Sequence, residues 1–305
     1  MSEWILMAIW FGVALIACCI GFKKFVWFLS VGYGFAVAAL GISYAIYGGV
    51  NGRLDIVGLI QCILFVLYGA RLSGFLLARE IKNANYRKVL ASATKEGEKK
   101  MPIFVLVVMW LMVGALYVGQ TSPVFYRMIN PAVSGWNISD TWATSPVNVI
   151  LPAIGAAISL IGLVIETFAD FQKTAEKKVN PHMVATHKLY KMVRCPNYFG
   201  EILFWTGVFV GGCTLYANWW QWVIAIFSWV CITYIMVNGA QRLDRRQEKN
   251  YGTKEEYRAY ADHTPLIFPL IPVYHIGMYK VEDLEASAKA KAEKKAAKAA
   301  KKENK

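Results

Sequence analysis

Few ionisable side chains fall inside the apolar stretches of this sequence, and those few are spaced for chemistry. Glu166 and Asp170 are four residues apart, as are Asn197 and Glu201, and Tyr68 precedes Arg71 by three. Each spacing puts a pair on one face of a helix, about one turn apart. A charged group in hydrocarbon is costly, so such positions are read first as binding or catalytic ones; the plain alternative is that the acids only pair with Arg71, Arg79 or nearby lysines. The run Arg194-Cys195-Pro196-Asn197-Tyr198-Phe199-Gly200-Glu201 is the most informative. Proline favours the first helical position and turns the residue before it away from helix. Asn197 and Tyr198 then occupy a first turn, whose backbone N–H groups can receive an anion. Gly200 lets a ligand or a backbone come close. Strong donors beside an acid suit a nucleotide, which carries both phosphates and ribose hydroxyls.

Basic residues gather where such a nucleotide would enter. Arg79, Lys173, Lys177 and Lys178 stand at the ends of two apolar stretches, and Arg242, Arg245 and Arg246 follow a third. A basic funnel suits a phosphorylated cofactor, although the ordinary retention of Lys and Arg on the cytoplasmic side accounts for part of it. Other chemistries lack their residues. No Gly-x-Gly-x-x-Gly follows a strand, and no Gly-x-Ser-x-Gly elbow occurs. No metal cluster is expected: His182, His187, His263 and His275 all lie outside the apolar blocks. Five of the six cysteines lie inside those blocks and read as small buried side chains without disulfides.

The elements that must position these groups are membrane helices. Of 305 residues 56% are apolar and 17% charged, against about a quarter charged in soluble domains. A spanning helix needs roughly 20 mostly apolar residues. Seven blocks qualify: Trp4–Ile20, Phe25–Tyr47, Asp55–Ala78, Ile103–Gly119, Val147–Phe168, Gly200–Tyr216 and Trp219–Val237. The expected fold is all-α, a polytopic membrane protein with seven transmembrane helices. The first block has no basic segment before it and no small-residue cleavage site after it, so it reads as a helix and not a signal peptide.

Loop charges orient the chain. Lys23 and Lys24 follow helix 1; Arg79, Lys82, Arg87, Lys88, Lys95, Lys99 and Lys100 follow helix 3; Lys173, Lys177, Lys178, Lys188, Lys191 and Arg194 follow helix 5. The alternate loops hold only Arg53 and Arg127. The expectation is a multi-pass protein of the inner, cytoplasmic membrane, N-terminus outside and C-terminus cytoplasmic. Topology and anionic lipid account for the net charge of +13 without nucleic acid. The outer segment 120–146 reads as a cap or a flexible loop. The Lys/Ala-rich tail from Ala286 reads as solvated. The expected divisions are 1–54, two N-terminal helices; 55–272, the core that carries the candidate residues; and 273–305, the basic tail.

Three segments resemble the steroid 5-alpha-reductase family, most closely its bacterial branch of membrane proteins. They are Glu166-Thr-Phe-Ala-Asp170-Phe-Gln172-Lys173; Arg194-Cys-Pro-Asn197-Tyr198-Phe-Gly200-Glu201; and Tyr251-Gly-Thr-Lys-Glu-Glu-Tyr257-Arg-Ala-Tyr260 with Thr264-Pro-Leu-Ile-Phe-Pro269. Tyr68-Gly-Ala-Arg71, ending at Arg79, resembles that family's third helix. The resemblance covers roughly residues 55–272 and implies seven membrane helices. It also implies an NADPH-dependent reduction of a carbon–carbon double bond conjugated to a ketone, in a steroid- or sterol-like lipid. By that analogy Arg79, Glu166, Asp170, Lys177, Asn197 and Glu201 hold NADPH from the cytoplasmic side, with Tyr198, Arg245 and Tyr251 as further cofactor-binding candidates. Tyr68 hydrogen-bonds the substrate carbonyl, where a phenol stabilises the charge of the developing enolate. Two positions depart from the pattern. Cys195 stands where that branch usually has His, and helices 1 and 2 contain no acid after Glu3 to pair with the tyrosine; Arg71 is a candidate for the missing electrophilic partner.

Two other functions remain open on the sequence. Membrane methyltransferases of the isoprenylcysteine or phospholipid type, which use S-adenosylmethionine, share an Arg-x-Pro-x-Tyr run and a Tyr-rich C-terminal segment. The third possibility is a lipid-binding membrane protein without catalysis. The Asn-Tyr-Phe-Gly-Glu form and the Glu166/Asp170 pair favour the reductase.

Overall fold

The computed structural model describes residues 2–82, 87, 102–133 and 135–275. Lys88, Lys95, Lys99, Lys100 and the Lys/Ala-rich tail lie outside the described residues. Among the described residues every element is helical and none is a strand. In chain order they are α1 (Glu3–Cys18), α2 (Val31–Val50), α3 (Ile56–Lys82), α4 (Ile103–Ile129), α5 (Ile138–Thr144), α6 (Val147–Val179), α7 (Pro196–Gly212), α8 (Trp219–Tyr251) and α9 (Glu255–Ala261), with single 3-10 turns between some of them.

Six of these are long and apolar enough to cross a membrane: α1 with its 3-10 extension to Phe22, α2, α3, α4, α6 and α8. The segment expected to be a further span forms α7, with 17 residues, or roughly 25 Å at 1.5 Å per residue. The outward surfaces are apolar. Phe104, Val105, Val108, Leu111 and Met112 of α4 are exposed, as are Val223, Phe227 and Val230 of α8. Apolar faces of this extent are not left to water; they face lipid.

Three helices run well past the apolar blocks that signalled them, by more than two turns each. α4 continues from Gly119 to Ile129 through what the sequence suggested was a cap or loop. Pro123 costs it a backbone hydrogen bond, yet Gln120 through Met128 are all buried. Thr121 and Ser122 satisfy their hydroxyls on the carbonyls of Tyr117 and Gly119, at 2.9 and 2.8 Å. α6 runs on to Val179 and α8 to Tyr251. Their extensions are rich in Glu, Lys, Arg and Gln, which are good helix formers. Hydropathy reports where a residue prefers to sit; it does not report where a helix ends.

The chain forms two compact units, each assembled from separated stretches. The first comprises Met1–Leu163 and Leu203–Ile232; the second comprises Val164–Ile202 and the chain from Thr233 onward. In the first, α2 and α3 touch backbone to backbone at Gly34 and Gly69. A Cβ on Gly69 would come within 2.1 Å of the Gly34 carbonyl oxygen, so only glycine allows this crossing. Its centre is a layer of rings. Tyr33 stacks on Tyr117 at 4.7 Å between ring centres, and Tyr68 stacks on Phe204 at 4.6 Å. A buried ion pair closes one end: Arg127 donates through Nε to Asp55 at 2.9 Å, through Nη2 to the other Asp55 oxygen, and through Nη1 to the Asn148 carbonyl at 2.9 Å.

The second unit has a different interior. Its apolar clusters are small: Cys195, Ile202, Ala240, Leu266 and Ile267 form one, and Met183, Val184, Tyr257 and Ala261 another. Between them lie buried charges.

Candidate functional site

α7 begins at Pro196, where proline's missing N–H and fixed φ suit a first helical position. The residues just before it are held by two backbone bonds. Arg194 N donates to Pro265 O at 2.8 Å, and Cys195 N to Leu266 O at 2.9 Å. Asn197 and Tyr198 therefore do occupy the first turn. Asn197 is half-buried, and its Oδ1 is buried with no hydrogen-bond partner. Glu201, one turn on, is buried, and so is Glu166 on α6, while Asp170 is half-buried. The Tyr198 ring lies against Gly239 of α8, where an added Cβ would meet it at 3.4 Å. Asp170, Arg242 and Arg246 lie within electrostatic range of its hydroxyl.

A second group of candidates meets at the far ends of α6 and α8. Lys177 Nζ donates to the Tyr251 hydroxyl at 3.1 Å and to the carbonyls of Met183 and Pro181. Its ammonium also sits over the Tyr251 ring, 5.1 Å from the centre. Arg245 is exposed. Eight of the nine cofactor candidates, Glu166, Asp170, Lys177, Asn197, Tyr198, Glu201, Arg245 and Tyr251, thus belong to the second unit. The ninth, Arg79, is exposed near the end of α3 in the first unit, the helix that also carries Tyr68 and half-buried Arg71. Tyr68 is fully buried among rings: Phe204, Trp205 at 5.6 Å and Tyr33 at 5.7 Å.

Sequence reasoning missed the polar centre of the second unit. Arg194 looked like one of the loop charges that orient the chain, but its side chain is fully enclosed. Nη1 donates to Asp244 at 2.7 Å and to the Tyr257 hydroxyl at 3.4 Å; Nη2 donates to the Tyr274 carbonyl. Burial works against the guanidinium charge, and the charge and hydrogen bond of Asp244 more than offset it, so the proton is held more tightly than usual. Glu248 is buried nearby and accepts from Arg258 at 3.4 Å. Burial also raises the Tyr257 and Tyr190 phenols above their ordinary range, and pushes the Cys195 thiol up to about 12 against the pull of Lys173 and Arg194. One signal was available. Ala240, Asp244 and Glu248 recur every four residues and are buried, while Arg242, Arg245 and Arg246 between them are exposed. That is an inward helical face that carries two acids, Asp244 and Glu248.

The described residues hold no cluster of His, Cys, Asp and Glu fit for a metal ion. The donor set instead combines amide, phenol, carboxylate, ammonium and first-turn backbone N–H groups. A dinucleotide phosphate presents acceptors and hydroxyls to match such a set, and the unpartnered Asn197 oxygen requires a donor such as a ribose hydroxyl.

These features define an all-helical membrane protein with a buried polar centre in one of its two units. The chain belongs to the family described as protein of unknown function (DUF1295), whose model matches residues 10–264 and so takes in every candidate residue above. Comparison with curated proteins and with solved structures finds no match.

Proposed function

We propose that this protein is a membrane-bound, NADPH-dependent reductase of a conjugated carbon–carbon double bond in a steroid- or sterol-like enone lipid. What supports the reading is that eight of the cofactor candidates fall in one compact unit, which also contains the start of α7 with its buried, unpartnered Asn197 oxygen. The resemblance of the three quoted segments to the steroid 5-alpha-reductases points the same way. In this reading α7 is the seventh span, with the N-terminus outside and the C-terminus in the cytoplasm, as the loop charges require.

Asn197, Tyr198 and Glu201 bind the sugar and phosphates through the first turn of α7. Glu166 and Asp170 take ribose hydroxyls, and Lys177 and Arg245 supply positive charge for the phosphates. Tyr251 orients Lys177, to which it is already bonded. When bound, NADPH supplies the hydride that adds to the β-carbon of the enone. The Tyr68 hydroxyl donates to the carbonyl oxygen as negative charge develops there, with Arg71 as a second electrophile one turn away. The ring layer around Tyr68 excludes water from that charge.

Thermal stabilisation of the purified protein tests the reading directly, because a ligand that binds only the folded state raises the melting temperature. NADPH should stabilise, and NADH less so, since the 2′-phosphate needs a cation. Stabilisation by S-adenosylmethionine in its place would make the protein a methyltransferase, and stabilisation by neither would leave a lipid-binding protein.

A further inference from the structure

The segment Phe268-Pro269-Leu270-Ile271-Pro272-Val273 of the second unit carries no charge and turns apolar side chains outward. Leu270 is 93% exposed, Ile271 49% and Val273 42%. Three neighbouring apolar side chains held out together call for an apolar surrounding. The loop is closed by its own backbone. Leu266 N donates to Val273 O at 2.9 Å, Ile271 N to Phe268 O at 3.2 Å, and Val273 N to Ile271 O at 2.7 Å. Pro269 and Pro272 have no N–H to give. Four of the five residues from Pro269 to Val273 therefore present no free backbone donor, which removes most of the cost of taking such a segment out of water.

The root of the loop sets its level. Phe268 packs against the cluster of Cys195, Ile202, Ala240, Leu266 and Ile267, and so do Met236, Val237 and Leu243 of α8. At that point α8 leaves its apolar run, which ends at Val237, and exposed Arg242, Arg245 and Arg246 follow. Charged side chains of this kind mark where a helix leaves hydrocarbon. We propose that residues 269–273 form a wedge set into the headgroup and acyl boundary of the bilayer, with Leu270 deepest. Three side chains fall short of the roughly 800 Å² per partner of a stable protein contact, whereas a bilayer needs no matching shape. The wedge is also tied to α7. Leu266, whose N–H closes the loop, accepts from Cys195 N at 2.9 Å just before Pro196, so the bilayer surface steadies the start of that helix. The inference needs no cofactor and stands apart from the reductase reading.

The test puts an environment-sensitive fluorophore on Leu270→Cys, in a Cys19→Ser background that removes the exposed native thiol. The full chain is placed in phosphatidylcholine nanodiscs. Glu256→Cys, at an exposed position of α9, is the water-facing reference, and the Cys19→Ser protein alone gives the background. Leu270→Cys should melt as its parent does, because the side chain it removes is almost wholly exposed. Its label should emit to the blue of the reference and resist aqueous iodide, which quenches the reference. Lipid with a doxyl group on carbon 5 should quench it more than lipid with the group on carbon 12, since interfacial segments lie about 5–10 Å into the headgroup and acyl boundary. Emission and iodide quenching equal to the reference would place the loop in water and overturn the proposal. Blue-shifted emission that neither lipid quencher reduces would overturn it too, because the tip would then be covered by protein, whether a second copy or another part of this chain.

Discussion

The two buried arginines of this protein are built differently. Arg127, in the first unit, spends Nε, Nη1 and Nη2 on Asp55 and the Asn148 carbonyl, and Asp55 also caps α3 by accepting from Gly58 N at 2.8 Å. This network is closed: it joins three segments and presents nothing further. Arg194, in the second unit, uses Nη1 and Nη2 and leaves Nε buried without a partner, and Glu248 Oε2 nearby is also unanswered. That network backs the first turn of α7, through the backbone bonds of Arg194 and Cys195. A completed network fixes a fold. One with spare donors and acceptors beside a ligand-like turn is where function is expected, because unsatisfied buried groups in native proteins call for a reason.

The largest expected effect separates the two directly. Arg127→Met leaves Asp55 buried without its cation, which should cost about 3–5 kcal/mol of stability. Adding Asp55→Leu to that variant should recover most of the loss, because the pair is then replaced by apolar groups. Melting of the purified proteins, with and without NADPH, checks both points. The comparison breaks if Arg127→Met melts like wild type, or if it alters NADPH binding in protein that still folds.

The next effect concerns rate. Tyr68→Phe keeps the ring on Phe204 and removes only the hydroxyl. It should fold and bind NADPH as wild type does, and lose on the order of 10²–10³-fold in turnover, as when one oxyanion donor is deleted. Single-turnover NADPH oxidation with an enone lipid is the measurement. A rate within a factor of about two of wild type would give Tyr68 back to the aromatic layer as a packing residue. In the second unit the expected effect is on affinity. Asn197→Ala and Glu201→Ala should each weaken NADPH binding by about 1–3 kcal/mol, the range for hydrogen bonds to charged groups. Equal NADPH affinity in folded Glu201→Ala protein would remove this turn from the cofactor site.

Much of this was legible in the sequence for reasons of local pattern. Six of the seven apolar blocks mark helices long and apolar enough to cross a membrane, because each is a continuous run with its own solvent preference. Pro196 marked the start of α7, because proline's constraint is local. The pairs Asp55–Arg127 and Arg194–Asp244 were not legible. Their members lie 72 and 50 residues apart, and no spacing rule joins them. Arg127 and Arg194 were counted among loop charges because composition cannot tell a solvated arginine from an enclosed one. The helical course of α4 from Gln120 to Ile129 was missed for a related reason. A polar, proline-containing stretch reads as loop until its burial and its hydroxyl-to-backbone bonds are known.

The smallest effect is one of pH, and it belongs to the Arg194 side of the comparison. Cys195 is fully buried beside Arg194, and its thiol is pushed from 9.0 up to about 12 by burial. In the unfolded chain the same thiol ionises near its ordinary value. Below pH 9 both states hold the proton, and this group has no effect on the equilibrium. Between about 9 and 12 the unfolded chain gives up the proton while the folded protein keeps it, so stability falls as pH rises. The slope from this one group is about 1.4 kcal/mol per pH unit. Tyr190, Tyr257 and Tyr260, raised by burial in the same unit, add to the loss above pH 10. Cys195→Ala removes one titrating group and should flatten the melting-temperature profile between pH 9 and 10, where the tyrosines have barely begun to contribute. At neutral pH the same enclosure should keep Cys195 unreactive towards a maleimide while exposed Cys19 labels. Rapid labelling of Cys195 in folded protein, or an unchanged alkaline slope in Cys195→Ala, would mean that the Arg194 network is open to water and that its enclosure is not what distinguishes it from a loop.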